Sequence, residues 1–490
     1  MKQINRHYRF ITNVLPNALG TGIAMLARGC IRRLLLSLLA FVVVGCTSHS
    51  QFRTALGHRS LEPYPQSAKL IDNQKSYRDE IGKLAIEDYP EFLLGFVEFD
   101  DQGRFWDRMQ TDKLIAHIRK DDIVKRNGAI IMVFTHGWFH NSEVRDENVR
   151  QFRGLLFDLA RYEGQMPHPR KVIGVFAGWR GLSATVNPFK ALSFWDRKET
   201  AHRVGGGDLI ELLVRLDGLK QDVSRQKVSP GEKSSRMVVL GHSFGGSAVY
   251  SAVGSILKQR AVASIRADKE VSQGQPPDLI TGFGDLVVLI NPAFEALLYS
   301  GIAEAMKAAP CYHPEQTTLL LTVGADNDKA TGVAFPVGRF IPTSMQRFKN
   351  SDERKLSRTT LGNYRPYFTD QLNISDSTVV PSPPVEKTPP QAPTRTQPWH
   401  PPSTIDSHRP LHEQRPVHGR QPVWSDFLPQ NRHWQIEQIH ADRPVNRPFM
   451  VVTASSRIVD GHSGIWSVQF CEFLRDFIIA QDLLKQTYQQ

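Results

Sequence analysis

The sequence predicts an α/β protein with a mostly parallel central sheet and helices on both faces. Six short apolar runs alternate with helix-length stretches, the runs are apolar on successive residues, and one of them ends in a Gly-x-Ser-x-Gly turn. In chain order the runs are Ala129 to Phe134, Lys171 to Phe176, Met237 to Leu240, Leu286 to Ile290, Thr318 to Val323 and Phe449 to Thr453. A strand with no polar face belongs inside a parallel sheet covered on both sides. Asp208 to Val223 and Ser247 to Arg260 read as helices between them.

The flanking regions follow other rules. Arg32 and Arg33 precede an apolar run from Leu34 to Val44 that stops at Gly45 and Cys46. Eleven residues rise only about 16 Å as a helix, short of the ~30 Å hydrocarbon core, so residues 1–46 read as a secretory signal rather than a span. Val43-Val44-Gly45-Cys46 resembles the lipobox of bacterial lipoproteins. That likeness implies a lipid on Cys46 and a place at the bacterial cell envelope, anchored to a membrane and facing the periplasm or exterior. An ordinary cleaved signal or a short anchor is the alternative. Residues 47–90 are polar and mixed, and read as a tether with some helix. Residues 91–375 and 431–490 hold the two parts of the core. Between them, residues 376–430 form a proline-rich insertion: twelve of 31 prolines fall between Pro381 and Pro422, with few large aliphatics, so the stretch reads as disordered.

Composition narrows the partners. Of a net charge of +11, six units come from Lys2, Arg6, Arg9, Arg28, Arg32 and Arg33 in the leader, and the body shows no basic stripe interleaved with aromatics. Nucleic acid is therefore not an expected partner. Once the leader is removed and Cys46 lipidated, Cys311 and Cys471 remain, open to a disulfide or to two free thiols. No Cys/His spacing fits a structural zinc site. His400, His408, His412 and His418 lie irregularly in the proline-rich stretch and read as a solvated loop.

The chemistry centres on Met237 to Gly246. An apolar strand ending in Gly241-His242-Ser243-Phe244-Gly245 reads as a nucleophile elbow, with Ser243 on a tight strand-to-helix turn. A serine hydroxyl needs a base and a group to orient that base. His462, in Asp460-Gly461-His462-Ser463-Gly464, follows the last strand run and falls on the same sheet edge as Ser243. Gly324-Ala325-Asp326-Asn327-Asp328 offers two acids beyond the fifth run; Asp326 stands closer to the strand, and Glu295 is a weaker third candidate. The chain order Ser, Asp, His suits this chemistry. For an oxyanion, the backbone amides of Phe244, just after the nucleophile, and Trp138, in Thr135-His136-Gly137-Trp138, are the expected donors. Trp179, Phe194 and Trp195 are candidates for a lipophilic cap or for core.

Taken together, these segments resemble α/β-hydrolase fold serine esterases and lipases, and within them a bacterial lipoprotein-like group. The shared motifs are the loop His136 to Asn141, Gly241 to Gly245, Asn291 to Glu295, Asp328 to Thr331, and Gly461 to Trp466. The match at Asp328-Lys329-Ala330-Thr331 puts Asp328 narrowly ahead of Asp326 as the acid, although Lys329 replaces a usual Trp. The resemblance implies hydrolysis of a small-molecule or lipid carboxylic ester through an acyl-enzyme, without cofactor. Thioesterase or acyltransferase activity, or a membrane-tethered lipoprotein that keeps the scaffold without turnover, are the alternatives.

Overall fold

The computed structural model describes residues 50–181, 189–225, 234–268, 278–309, 311–375, 422–429, 432–440 and 443–488. The signal with Cys46 and the four histidines of the proline-rich stretch lie outside them. The chain divides into two compact units, Met1–His49 with Leu182–Asp196, and Ser50–Gly181 with Arg197–Gln490. Of the first, only the start of a helix, Phe189–Gly206, is described. Everything below belongs to the second.

Eleven strands form one sheet: β1 (Ala55–Ser60), β2 (Leu84–Asp88), β3 (Phe92–Phe99), β4 (Ala129–Thr135), β5 (Lys171–Trp179), β6 (Arg236–His242), β7 (Leu286–Ile290), β8 (Leu320–Ala325), β9 (Asp370–Ile374), β10 (Trp434–Gln438) and β11 (Phe449–Ala454). Their order is β1-β2-β3-β5-β4-β6-β7-β8-β11-β9-β10. From β3 to β9 in that order every pairing is parallel; β2 with β3 and β9 with β10 are antiparallel.

The two-sided apolar runs occupy the middle, as their composition requires. Every residue of β4, β5, β6, β7 and β8 is buried. Ile130, Met132 and Phe134 share a core with Val238 and Leu240, with Phe152 and Leu156 of helix Glu147–Glu163, and with Phe473 and Phe477 of helix Val468–Tyr488. Alternation sends Ile131 and Val133 to the opposite face, where helices Asp208–Arg225 and Phe244–Asp268 pack. Among the described residues no helix is long and apolar enough to cross a membrane.

Three expectations are corrected. Residues 50–90 are not a tether: they contribute β1, two helices and β2 to the sheet. Leu61, Ile71 and Ile81 join the apolar core, and beside them lies an ionic anchor that hydrophobic patterning does not reveal. Glu87 of β2 is fully buried between Arg53 Nη1 at 3.0 Å and Arg153 Nη2 at 2.8 Å, with the Tyr89 hydroxyl donating to it at 2.9 Å. Burial pushes the Glu87 carboxyl up, but the two guanidinium groups outweigh this and hold it below the usual range. Next, the fifth apolar run enters the sheet at Leu320 rather than Thr318, because the Thr318 amide is bound by the Gln481 side chain at 2.8 Å. Finally, most of the proline-rich insertion lies outside the described residues, but its end at 422–429 is packed, with Trp424 buried edge-on against Phe477. Cys311 is exposed and Cys471 buried, with no disulfide between them.

Candidate active site

The carboxyl ends of β4, β6, β7, β8 and β11 bring the site together. Where β6 turns into helix Phe244–Asp268, Ser243 adopts φ 56°, a left-handed conformation that side chains resist and that functional turns retain. Neighbouring backbone holds it there: the Ser243 amide donates to the Ile290 carbonyl at 3.0 Å and the Ala293 amide to the Ser243 carbonyl at 3.1 Å. The turn can be this tight because Gly245 has no side chain; a Cβ there would stand 2.1 Å from the Thr135 carbonyl oxygen.

Beyond β11, Gly461 at φ 66° starts the turn that presents His462. The Ser243 hydroxyl faces His462 Nε2 at 2.7 Å, and His462 Nδ1 faces Asp328 Oδ2 at 2.8 Å. Asp328 is buried and also accepts from the Thr331 hydroxyl and from the amides of Ala330 and Thr331. Burial pushes its carboxyl up, but the hydrogen bonds and charge of His462, with those of Thr331, hold it below the usual range. An ionised Asp328 accepts a hydrogen bond from the Nδ1–H of His462, which leaves the Nε2 lone pair for the serine hydroxyl.

The other acids are elsewhere. Asp326 is exposed, its amide bound to the Ala454 carbonyl at 2.9 Å. Glu295 is buried against Lys198 at 2.9 Å and Arg339 at 2.8 Å.

Three residues not assigned a role from sequence fasten the histidine loop: Asn327, which accepts from the Gly461 amide at 2.7 Å and donates to Asp460 at 2.8 Å, Asn291 and His242. Asn291 Nδ2 donates to the carbonyls of Gly461 at 3.1 Å and His462 at 3.0 Å, while its Oδ1 accepts from the Ala325 amide at 2.8 Å. Asn291 has φ 44°, a conformation asparagine tolerates better than most residues. His242, fully buried and held neutral by burial and by nearby His462, donates from Nε2 to the same His462 carbonyl at 2.9 Å. The signal available in sequence was Asn-Pro directly after a strand, a turn-forming pair.

The loop after β4 reaches Ser243. A Cβ on Gly137 would lie 2.7 Å from Ser243 Cβ, so the backbone passes directly over the serine. Trp138 follows, its ring 6.4 Å from that of Phe244. Phe139 at φ 72° ties the loop to Gly181 through its amide at 3.1 Å. Beneath, buried His136 accepts from the Trp179 amide on Nε2 at 3.0 Å and stacks on the Trp179 ring at 5.5 Å; burial holds it down to about 4, so it is neutral. Trp179 is thus core. Phe194 and Trp195 belong to the first unit, and the Trp195 side chain lies outside the described ones.

Among the described residues no three His, Cys, Asp or Glu side chains converge as a metal ion requires. Comparison with protein-family models, with curated proteins and with solved structures found no match to the chain.

Proposed function

We propose that this protein is a serine hydrolase of the α/β-hydrolase fold that cleaves carboxylic esters through an acyl-enzyme. One observation carries the reading: an unbroken line of hydrogen bonds from Asp328 through His462 to Ser243, on residues that approach from three distant parts of the chain. His462 Nε2 takes the Ser243 proton as Oγ attacks the ester carbonyl. The resulting oxyanion is received by the amides of Phe244 and Trp138. The tetrahedral species then collapses, the C–O bond to the alcohol breaks, and His462 returns the proton to the leaving oxygen. Water, deprotonated by the same imidazole, attacks the acyl-enzyme and frees the acid. A lipid on Cys46 would keep this chemistry at an envelope membrane.

The test is labelling by a fluorophosphonate probe together with hydrolysis of short p-nitrophenyl esters. Wild type should label and turn over, and Ser243→Ala should do neither while keeping its circular dichroism. An unlabelled, inactive wild type would leave the scaffold without turnover as the answer. Turnover of a thioester or transfer to an alcohol in preference to water would redirect the reading to thioesterase or acyltransferase.

A further inference from the structure

A second cleft lies along helix Phe244–Asp268, away from the nucleophile. Ser251, on its wall, is eight residues past Ser243, about 12 Å at 1.5 Å per residue. The cleft has a volume of about 610 Å³, within the roughly 300–1,000 Å³ of small-molecule sites.

Its wall is charged unevenly. Lys198, Lys258 and Arg339 line it against a single carboxylate, Glu295. Lys198 and Arg339 share that carboxylate at 2.9 and 2.8 Å, and together they hold it below the usual range against the opposing effect of burial. Lys258 is exposed and has no carboxylate partner among the described residues. Two positive charges are therefore left over.

The neutral groups add donors. Burial and the adjacent Lys198 hold His202 down to about 4, so it is uncharged at pH 7. The Lys198 ammonium can only donate, and it faces His202 Nε2 at 3.4 Å. The imidazole proton then sits on Nδ1 and is donated to Ser251 Oγ at 2.9 Å. With its oxygen accepting, the Ser251 hydroxyl has its own hydrogen to offer into the cleft.

We propose that this cleft is a binding site for a small polyanion, a molecule bearing phosphate or several carboxylates, held by Lys258, Lys198, Arg339 and the Ser251 hydroxyl. Charge-assisted hydrogen bonds from several directions suit such a ligand and repel a cation. The site is distinct from the Ser243 group and stands whether or not that group turns over esters.

The experiment is calorimetric titration of the full chain with sodium pyrophosphate and, separately, with citrate. Saturable 1:1 binding is expected for at least one probe, weakened on the order of tenfold in Lys258→Ala and severalfold in Ser251→Ala, and unchanged in Ser243→Ala. Lys258 is exposed, so its truncation leaves the packing intact. Absence of saturable heat with both probes at millimolar concentration, or wild-type affinity in both cleft variants, overturns the proposal. Kinetics then separate two sources of the anion. If it is part of the substrate, pyrophosphate raises KM for a p-nitrophenyl ester with a terminal carboxylate and leaves a neutral ester alone. If it is a separate effector, kcat for the neutral ester changes.

Discussion

The side-chain amide of Asn291 holds the carbonyl oxygen of His462 at 3.0 Å, so the backbone carrying the imidazole is bolted to the end of β7. The same side chain accepts the Ala325 amide at the end of β8. One residue thus spaces three strand ends. Asn291→Gly keeps the positive φ and removes all three contacts. Its kcat for p-nitrophenyl esters is expected to fall on the order of 10- to 100-fold with KM little changed, because misplacing a catalytic group by about 1 Å can cost this much. An unchanged kcat would show that the other supports of the loop, His242 and Asn327, position it without Asn291.

The two aspartates of the β8 loop separate by chemistry. Asp328→Asn puts an amide donor where His462 Nδ1–H needs an acceptor, and kcat should drop by about 10⁴. Asp326→Asn, at an exposed carboxylate, should stay within about twofold. Steady-state kinetics on both variants decide it, and a reversed ranking would move the acid to Asp326.

Gly137→Ala tests the loop over Ser243. The new Cβ would sit 2.7 Å from Ser243 Cβ, so either the loop or the serine must move. Hydrolysis is expected to fall by about 100-fold or more, while the thermal unfolding midpoint shifts by only a few degrees. Full activity would mean that this backbone does not contribute to the oxyanion site.

Acid stability follows from Asp285, at the amino end of β7. Burial pushes its carboxyl up, but Lys485, Lys220 and Arg236 together hold it well below the usual range. Between its native and unfolded values the unfolded chain binds more protons. The stability this group contributes is therefore complete above about pH 4 and fades as the pH falls through the native value. Lys485→Met should raise the midpoint of acid unfolding, followed by circular dichroism, and leave the neutral-pH esterase rate untouched.

Much of the fold was legible because the inner strands carry apolar residues on both faces, a pattern that only a covered parallel sheet satisfies. β3 escaped notice although it is buried throughout. Its run is broken by Gly95 and by Glu98, whose carboxylate is satisfied by the amides of Phe52 and Arg53 at 3.0 and 2.7 Å. The ends of the sheet are held in the same way, by Glu87 between two arginines and by Asp370 against Arg447 at 2.6 Å, and no apolar period marks them. In the site, Ser243 and His462 were legible from glycine-flanked turns after strands. Asp328 stood only narrowly ahead of Asp326, on the Asp328 to Thr331 motif, since the choice depends on how the loop folds inward onto Thr331. The role of Asn291 was not legible, because its contacts exist only once β7, β8 and the His462 loop are assembled.

Strand β6 begins at Arg236, which pairs with Asp482, and hands over to Ser243 at its far end. At about 3.3 Å per residue the two positions are some 23 Å apart. The ion pair braces the floor of the sheet, and the bond-breaking we propose falls on its roof. Substitutions that toughen the floor should combine additively with those that retune the roof, which makes this chain a convenient starting point for engineering heat tolerance and selectivity as separate problems.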